Sequence, residues 1–345
     1  MITLSQIPGR TTTINEEEYL FFSGYSYLGL GSLKGFTNLV KEGIDKYGIV
    51  YPSSRISNTP LDLYTAFEEK LAAFTHTKAS ACFSSGFLSA RTAVEVISAK
   101  MNVYSLLHTH PASSAFNGIQ SIDQTKNWEH FLKERKEKKE FRFAIVADSI
   151  YPTPGQINDF SFLNQTTADF NITLIIDDSH GIGWMGDEGE GIISQLKLPS
   201  NIELLLNFSL SKAFHMNGGA ICGSHNWIEE VKKHVNYTTS TPMMPSLAYA
   251  WLHADKILKE QRAKLTQNIL YLQKLTSNFT FVNNGGTPVF VINKQNLSDF
   301  LLQNKILISS FGYPQPEDDA VNRIVVNALH LKTDLEKVAE LINRF

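Results

Sequence analysis

Short, uninterrupted apolar runs alternate with amphipathic stretches along this chain, and the runs predict strands. Ser80-Ala81-Cys82-Phe83, Val103-Tyr104-Ser105-Leu106-Leu107, Arg142-Phe143-Ala144-Ile145-Val146-Ala147, Ile172-Thr173-Leu174-Ile175-Ile176 and Ile202-Glu203-Leu204-Leu205-Leu206 lack polar–apolar alternation. Strands buried on both faces carry that signature. Helical stretches lie between several of them. One is predicted to open at Thr59-Pro60, with proline in its first turn and Leu63, Phe67, Leu71 and Phe74 along one face. Such alternation predicts an α/β fold: a mainly parallel sheet flanked by helices, with functional residues at the carboxyl ends of the strands.

The pattern changes after Pro245. A long helix is predicted from there to about Leu275, followed by strands at 279–282, 289–292, 306–308 and 323–326. Two helices interleave, the last running from Thr333 to the C-terminus with Thr333 and Glu336 as a capping box. The expected division is an N-terminal arm (1–45), a large α/β domain (46–245), and a connecting helix with a small α+β domain (246–345).

Composition narrows the function classes. The 345 residues suit two domains, and 43% hydrophobic with 19% charged residues is ordinary for a globular protein. A net charge of −3 gives no reason to expect nucleic acid or an anionic membrane as partner. The one dense charge cluster, residues 133–140, mixes signs and reads as a solvated helix end. Cys82 and Cys222 stand far apart, so neither a disulfide framework nor a zinc site is expected. No leader and no bilayer-spanning run is read, which makes the cytoplasm the expected compartment.

Three stretches carry candidate chemistry. Asp177-Asp178-Ser179-His180 ends an apolar strand, where a metal site, a hydrolase pair or a helix start are the options. No further ligand has metal spacing, and no Gly-x-Ser-x-Gly elbow is present. Lys212 follows the next strand, between Ser209, Ser211 and Gly218-Gly219. A lysine beside a buried carboxylate can hold pyridoxal 5′-phosphate (PLP) as a Schiff base while the acid pairs with the pyridinium nitrogen. Phe83-Ser84-Ser85-Gly86-Phe87 joins a strand to a helix and is either a plain cap or a phosphate site. A P-loop or dinucleotide-binding glycine signature is missing.

Taken in order, these and four further motifs resemble the α-oxoamine synthases of PLP fold type I, the aspartate-aminotransferase-like fold. Tyr25-Ser26-Tyr27-Leu28-Gly29-Leu30 is similar to the family's Asn-Asp-Tyr-Leu-Gly-Leu, and Ser53-Ser54-Arg55-Ile56-Ser57-Asn58-Thr59 to its Gly-Ser-Arg-Leu-x-Ser-Gly-Thr. Phe83–Phe87 matches Phe-Ser-Ser-Gly-Tyr, Asp177–His180 stands for Asp-Glu-Ala-His, and Ser209-Leu210-Ser211-Lys212-Ala213 for Thr-Phe-Ser-Lys-Ala. Ser240-Thr241-Pro242-Met243-Met244-Pro245 resembles Ser-Thr-x-x-Pro-Pro, and residues 323–330 resemble the terminal Arg-Ile-x-Leu-x-Ala-x-His.

The resemblance implies an enzyme: a PLP-dependent acyltransferase that condenses a small amino acid with an acyl-CoA, or an acyl-carrier thioester, to an α-amino ketone with loss of CO₂. It implies that Lys212 holds the cofactor and moves the Cα proton, Asp177 pairs with the ring nitrogen, and His180 meets the phenolic oxygen. His110, or alternatively His108, would stack on the ring. Ser85, Gly86, Phe87 and Ser209 would lie near the phosphate, and Thr241 would reach it from the other subunit of a homodimer. Arg323 would hold the amino-acid carboxylate, with Arg55 the next candidate. An aminotransferase and a non-catalytic homologue remain as alternatives. The chain departs from the family at Asp178 and Ser179, at Ala90 in place of an asparagine, at Thr153-Pro154-Gly155-Gln156 in place of Met-Asp-Gly-Asp, and around Pro314-Gln315-Pro316. These departures bear on acyl-chain specificity and not on the cofactor chemistry.

Overall fold

The computed structural model describes residues 2–114, 118–151, 155–280, 282–283, 285–312 and 317–345. The predicted apolar runs of the first half pair in one seven-stranded sheet. Its order is Ala79–Phe83, Gly219–Gly223, Ile202–Ser209, Asn171–Asp177, Arg142–Asp148, Val103–Leu106 and Gln120–Ile122. Only Gly219–Gly223 runs antiparallel to the others. Phe143, Ile145, Leu174, Ile176, Leu205 and Leu206 are wholly buried, each contributing about 1.5–3 kcal/mol by leaving water. The continuous apolar text of these strands follows from that two-sided burial.

The second sheet has six strands: Thr11–Ile14, Glu17–Phe22, Ile306–Gly312, Ala320–Val325, Val289–Ile292 and Val282–Asn283. Both ends of the chain build it, because Glu17–Phe22 pairs in parallel with Ile306–Gly312. Residues 11–22, expected in an N-terminal arm, are therefore strands of this sheet. Of the strand expected at 279–282, Val282 alone is in strand; Phe281 lies outside the described residues. Among the described residues no helix is long and apolar enough to cross a membrane.

Several expected boundaries move for local reasons. The long helix after Pro245 is two helices, Pro245–Leu252 and Asp255–Thr276. The break is held by Lys70, whose Nζ donates to the Leu252 carbonyl at 2.8 Å and pairs with Asp255 at 2.5 Å. The helix expected at Thr59-Pro60 begins at Asp62, two residues beyond the proline. The final helix, Lys332–Arg344, starts before Thr333, and its entry is held by Asp334, not by Thr333 with Glu336. The Asp334 carboxylate accepts from the Leu331 N–H at 2.8 Å and from Arg10 Nη1 at 2.9 Å. A partner 324 positions away in sequence decided that boundary.

A buried ionic knot fixes the edge of the large sheet. The side chains of Arg55 and Glu68 are 6% and 7% exposed and pair at 2.7 Å. Arg55 Nη1 also donates to the Cys82 carbonyl at 2.5 Å, and its guanidinium lies 4.0 Å from the Tyr237 ring centroid. Glu68 accepts from the Cys82 N–H at 2.9 Å and from Lys232 Nζ at 2.6 Å. Removing one partner strands the others away from water. Glu68→Ala should cost about 3–5 kcal/mol in urea unfolding; a loss under about 1 kcal/mol, typical of a surface pair, would refute the knot.

Candidate active site

Parallel pairing brings the carboxyl ends of the strands to one edge. Asp148 is the register partner of Asp177, and Asp177 of Asn207, so two acids close adjacent strands just before Lys212. A cavity of about 240 Å³ opens there, and Asp148, Asp177, His180 and Lys212 line it. Gly86, Phe87, His110, Ala112, Ser179 and Ser209 complete its wall.

Lys212 is set into that wall, with Nζ 2.8 Å from His180 Nε2. Burial pushes its pKa below the ordinary lysine value, against the opposing pull of the Asp177 and Asp148 charges. A lowered pKa favours a lysine amine as a nucleophile. His180 reaches Tyr27 through its other nitrogen, with Nδ1 2.7 Å from the hydroxyl. Burial and the nearby Lys212 hold its imidazole well below the usual histidine range, and so neutral.

Asp177 keeps one oxygen on the Ser179 N–H at 3.0 Å and the other on Asn207 Nδ2 at 3.2 Å. Ser179, where the resembling family has alanine, accepts from the Ser209 N–H at 2.8 Å and ties the two strand ends together. Ser85 caps the helix Gly86–Ser98 by accepting from Leu88 N–H at 3.1 Å. The Gly86 and Phe87 N–H groups of that first turn take no partner within the helix. Gly86 must be glycine: a Cβ there would sit 2.5 Å from Ser209 Cβ.

His110 lines the cavity, while His108 stands outside it, edge-on to Tyr151. The His110 N–H donates to Asp148 Oδ2 at 3.0 Å, and partial burial lowers its imidazole pKa. Arg323 lines a second, much smaller cavity and is 2% exposed. His180 and Tyr27 belong to that wall too. Arg55 lines neither cavity. Its guanidinium is engaged by Glu68 and Cys82, which corrects the expectation of a substrate-binding role within this chain. Thr241 is exposed and also lines neither. Thr153-Pro154 and Pro314-Gln315-Pro316 lie outside the described residues.

Comparison with known proteins agrees with this geometry. The profile of the family "Aminotransferase class I and II" matches residues 19–342. The chain belongs to that family. A relative from Thermosipho melanesiensis, 8-amino-7-oxononanoate synthase, is 26% identical over 98% of this chain and 91% of its own. A serine palmitoyltransferase from S. paucimobilis, solved with PLP bound, superposes with a TM-score of 0.84 at 17% identity, covering 100% of this chain and 92% of that one. An 8-amino-7-oxononanoate synthase from Francisella tularensis gives 0.74 at 23%, covering 94% and 97%. These two likenesses establish the fold, that of PLP fold type I.

For a member of the aminotransferase class I and II family, sequence reasoning missed Asp148. Its Oδ1 is buried and takes no hydrogen bond among the described residues. Burial, and then the charge of Asp177, raise its pKa well above the carboxylate range. The signal was an acid closing an apolar strand, the same signal that identified Asp177. The wall fits PLP on its own terms. A desolvated amine faces two acids, a helix N-terminus opens at Gly86 on the same wall with N–H groups suited to an anion, and His110 shares that wall.

Asp178 has a different task. It is wholly buried, accepts from the Ile192 N–H at 2.8 Å, and sits where a Cβ on Gly181 or Gly191 would lie 2.1 or 1.9 Å from its oxygens. Burial raises its pKa to about 7. A raised carboxyl keeps its proton in the folded state after the unfolded chain has lost it, so stability falls as pH rises through about 4 to 7. Between pH 5 and 8 the wild type should lose roughly 3 kcal/mol that Asp178→Asn retains. Urea midpoints at the two pH values measure this; parallel losses in both proteins would refute it.

Proposed function

We propose that the protein is a PLP-dependent α-oxoamine synthase that condenses a small amino acid with an acyl thioester, and specifically an 8-amino-7-oxononanoate synthase of biotin biosynthesis. The observation that carries this reading is the desolvated Lys212 amine facing Asp177 and His180 at the carboxyl edge of the sheet. The curated relative at 98% coverage supports the specific member. A second reading, a serine- or glycine-using synthase, draws on the higher TM-score of the serine palmitoyltransferase.

PLP, when bound, supplies an electron sink for charge developing at the substrate α-carbon. The rest falls to this chain. Lys212 Nζ is the nucleophile for the aldehyde and the base that moves the α-proton. The Asp177 carboxylate pairs with the ring nitrogen, His180 donates to the phenolic oxygen, and His110 covers one ring face. Ser85, Gly86, Phe87 and Ser209 hold the phosphate, Ser85 by shaping the helix start. Arg323 grips the amino-acid carboxylate through its planar fork.

The working unit is a homodimer in which Thr241 reaches the partner's phosphate site. Phe87, on the helix Gly86–Ser98, is 64% exposed; Ile49, Val50 and Ile56 are 58%, 53% and 69% exposed, and the Ser54 hydroxyl ties the loop of these three to Thr238, near Thr241. A second copy of this chain would cover that apolar surface. We further propose a cytoplasmic enzyme with its cofactor domain at 46–245 and its smaller domain at 246–345, joined by residues 11–22.

The purified protein should release thiol and form an α-amino ketone from alanine and pimeloyl-CoA, read by thiol assay and product mass. Borohydride in the presence of PLP should fix the label on Lys212 in a peptide map. An α-keto acid product would mean an aminotransferase, and a label on another lysine would overturn the site.

Arg323→Lys keeps the charge and loses the fork. The amino-acid KM should rise roughly 10–100-fold, as loss of a charge-assisted hydrogen bond implies, with kcat also lower and acyl-CoA KM unchanged. A wild-type amino-acid KM would make Arg323 structural.

A further inference from the structure

Tyr27 lies in the turn after the strand Glu17–Phe22 and is wholly buried. Its backbone is pinned from both sides: its N–H donates to the Tyr25 carbonyl at 2.8 Å, and its carbonyl accepts from the Ala328 N–H at 2.8 Å. Two residues on, Gly29 has a φ of +63°, and a Cβ there would lie 2.4 Å from Leu329 Cγ. The turn is therefore wedged against residues 327–329 and cannot drift. The Tyr27 hydroxyl is 2.7 Å from His180 Nδ1, and His180 Nε2 is 2.8 Å from Lys212 Nζ. The result is a fixed line: phenol, imidazole, amine.

Proton counting along this line has one economical solution. A neutral imidazole carries one N–H and one acceptor nitrogen. His180 is neutral because its burial, with the Arg323 charge beside it, disfavours the cation. The Tyr27 phenol keeps its proton, since burial raises its pKa well above 10. Among the described residues its hydroxyl has no hydrogen-bond partner other than His180 Nδ1. Donating anywhere else would orphan a buried O–H, which costs about 1–3 kcal/mol. The phenol proton therefore goes to Nδ1, the ring proton sits on Nε2, and Nε2–H points at Lys212 Nζ. A nitrogen that accepts this hydrogen bond must be a free amine.

We propose that Tyr27 is a positioning residue that locks His180 as its Nε2–H tautomer and so holds Lys212 as the free amine that attacks the cofactor's aldehyde. The inference rests on the reading of Lys212 as the aldehyde-binding lysine. In that step the nitrogen lone pair forms the C–N bond, and the aldehyde oxygen leaves as water with the amine's two protons. The charged and titratable groups around the pair are Arg323 and His110 facing His180, Asp177 and Asp148 facing Lys212, and Tyr25, whose ring is edge-on to His180 and 5.9 Å from Lys212 Nζ. The two acids favour an ammonium; burial and the Nε2–H donor oppose it.

The test uses the full chain labelled with ¹⁵N-histidine, with the His180 signals assigned through His180→Gln. Long-range ¹H–¹⁵N correlation spectra of the wild type, recorded before and after addition of PLP, should show Nε2 protonated and Nδ1 bare, with the other tautomer at least about tenfold less populated. In Tyr27→Phe that ratio should collapse, because Nδ1 has lost its donor. Uptake of PLP by Lys212, followed by visible absorbance, should slow about tenfold at pH 7 in this variant and recover towards wild type at pH 9. A wild-type signal with Nδ1 protonated overturns the proposal, and so does a variant whose uptake has the wild-type pH profile. The wild-type spectrum decides even if Tyr27→Phe does not fold. It also reads independently of the proposed reaction: a wild type that takes up no PLP on Lys212 would remove the function while leaving the tautomer measurable.

Discussion

Placing the Lys212 amine out of water is the constraint around which the rest of the edge is arranged. Burial disfavours an ammonium more than an amine, and it moves the lysine's pKa downward. The same burial would be self-defeating if the side chain could swing back to solvent. It is held by His180 on one side, and His180 by Tyr27. Asp177 and Asp148 pull towards the cation, yet the net shift is downward. Desolvation outweighs that pull.

A wall this close needs small residues where chains meet. Gly86 passes Ser209 with no room for a Cβ, and Gly181 and Gly191 flank the Asp178 carboxyl in the same way. Asp178 accepts the Ile192 N–H and is displaced from the ordinary carboxylate range by its burial. Its neighbour Asp177 takes its hydrogen bonds from Ser179 and Asn207 and faces the cavity. Adjacent acids in one sequence motif are thus divided between structure and site where the strand ends, at Asp177.

Much of this was legible because the large sheet writes its burial into the sequence. Apolar runs gave the five main strands, the helices between them pointed to a mainly parallel sheet, and Asp177 was read at the end of one strand with Lys212 just after the next. What stayed hidden depends on partners far away in the chain. Gly219–Gly223 is short and glycine-ended, and only its place between Ala79–Phe83 and Ile202–Ser209 makes it a strand. The hairpin at 11–22 needs the C-terminal strand Ile306–Gly312 to be recognised as part of a sheet. Thr333 and Glu336 satisfied a local capping rule, but Asp334 with Arg10 displaced it. Arg55 carried a family motif, and its burial against Glu68 decides its role within this chain. Local rules found the elements, and tertiary partners set their ends.

His180 belongs to the walls of both cavities, one shared with Lys212 and one with Arg323. The positive charge of Arg323 adds to burial in keeping its imidazole neutral. Under the proposed roles, a carboxylate gripped by Arg323 would cancel that charge just as the amino acid arrives. The imidazole would become more basic, and its Nε2–H a weaker acid, when a substrate nitrogen is ready to replace Lys212. An electrostatic link of this kind needs no movement of the backbone. It requires only that the arginine, the histidine and the lysine share one region of low dielectric, where a charge change is felt across several ångströms. The buried phenol of Tyr27 fits that requirement, since it adds a hydrogen bond to His180 without adding a charge that would blunt the response.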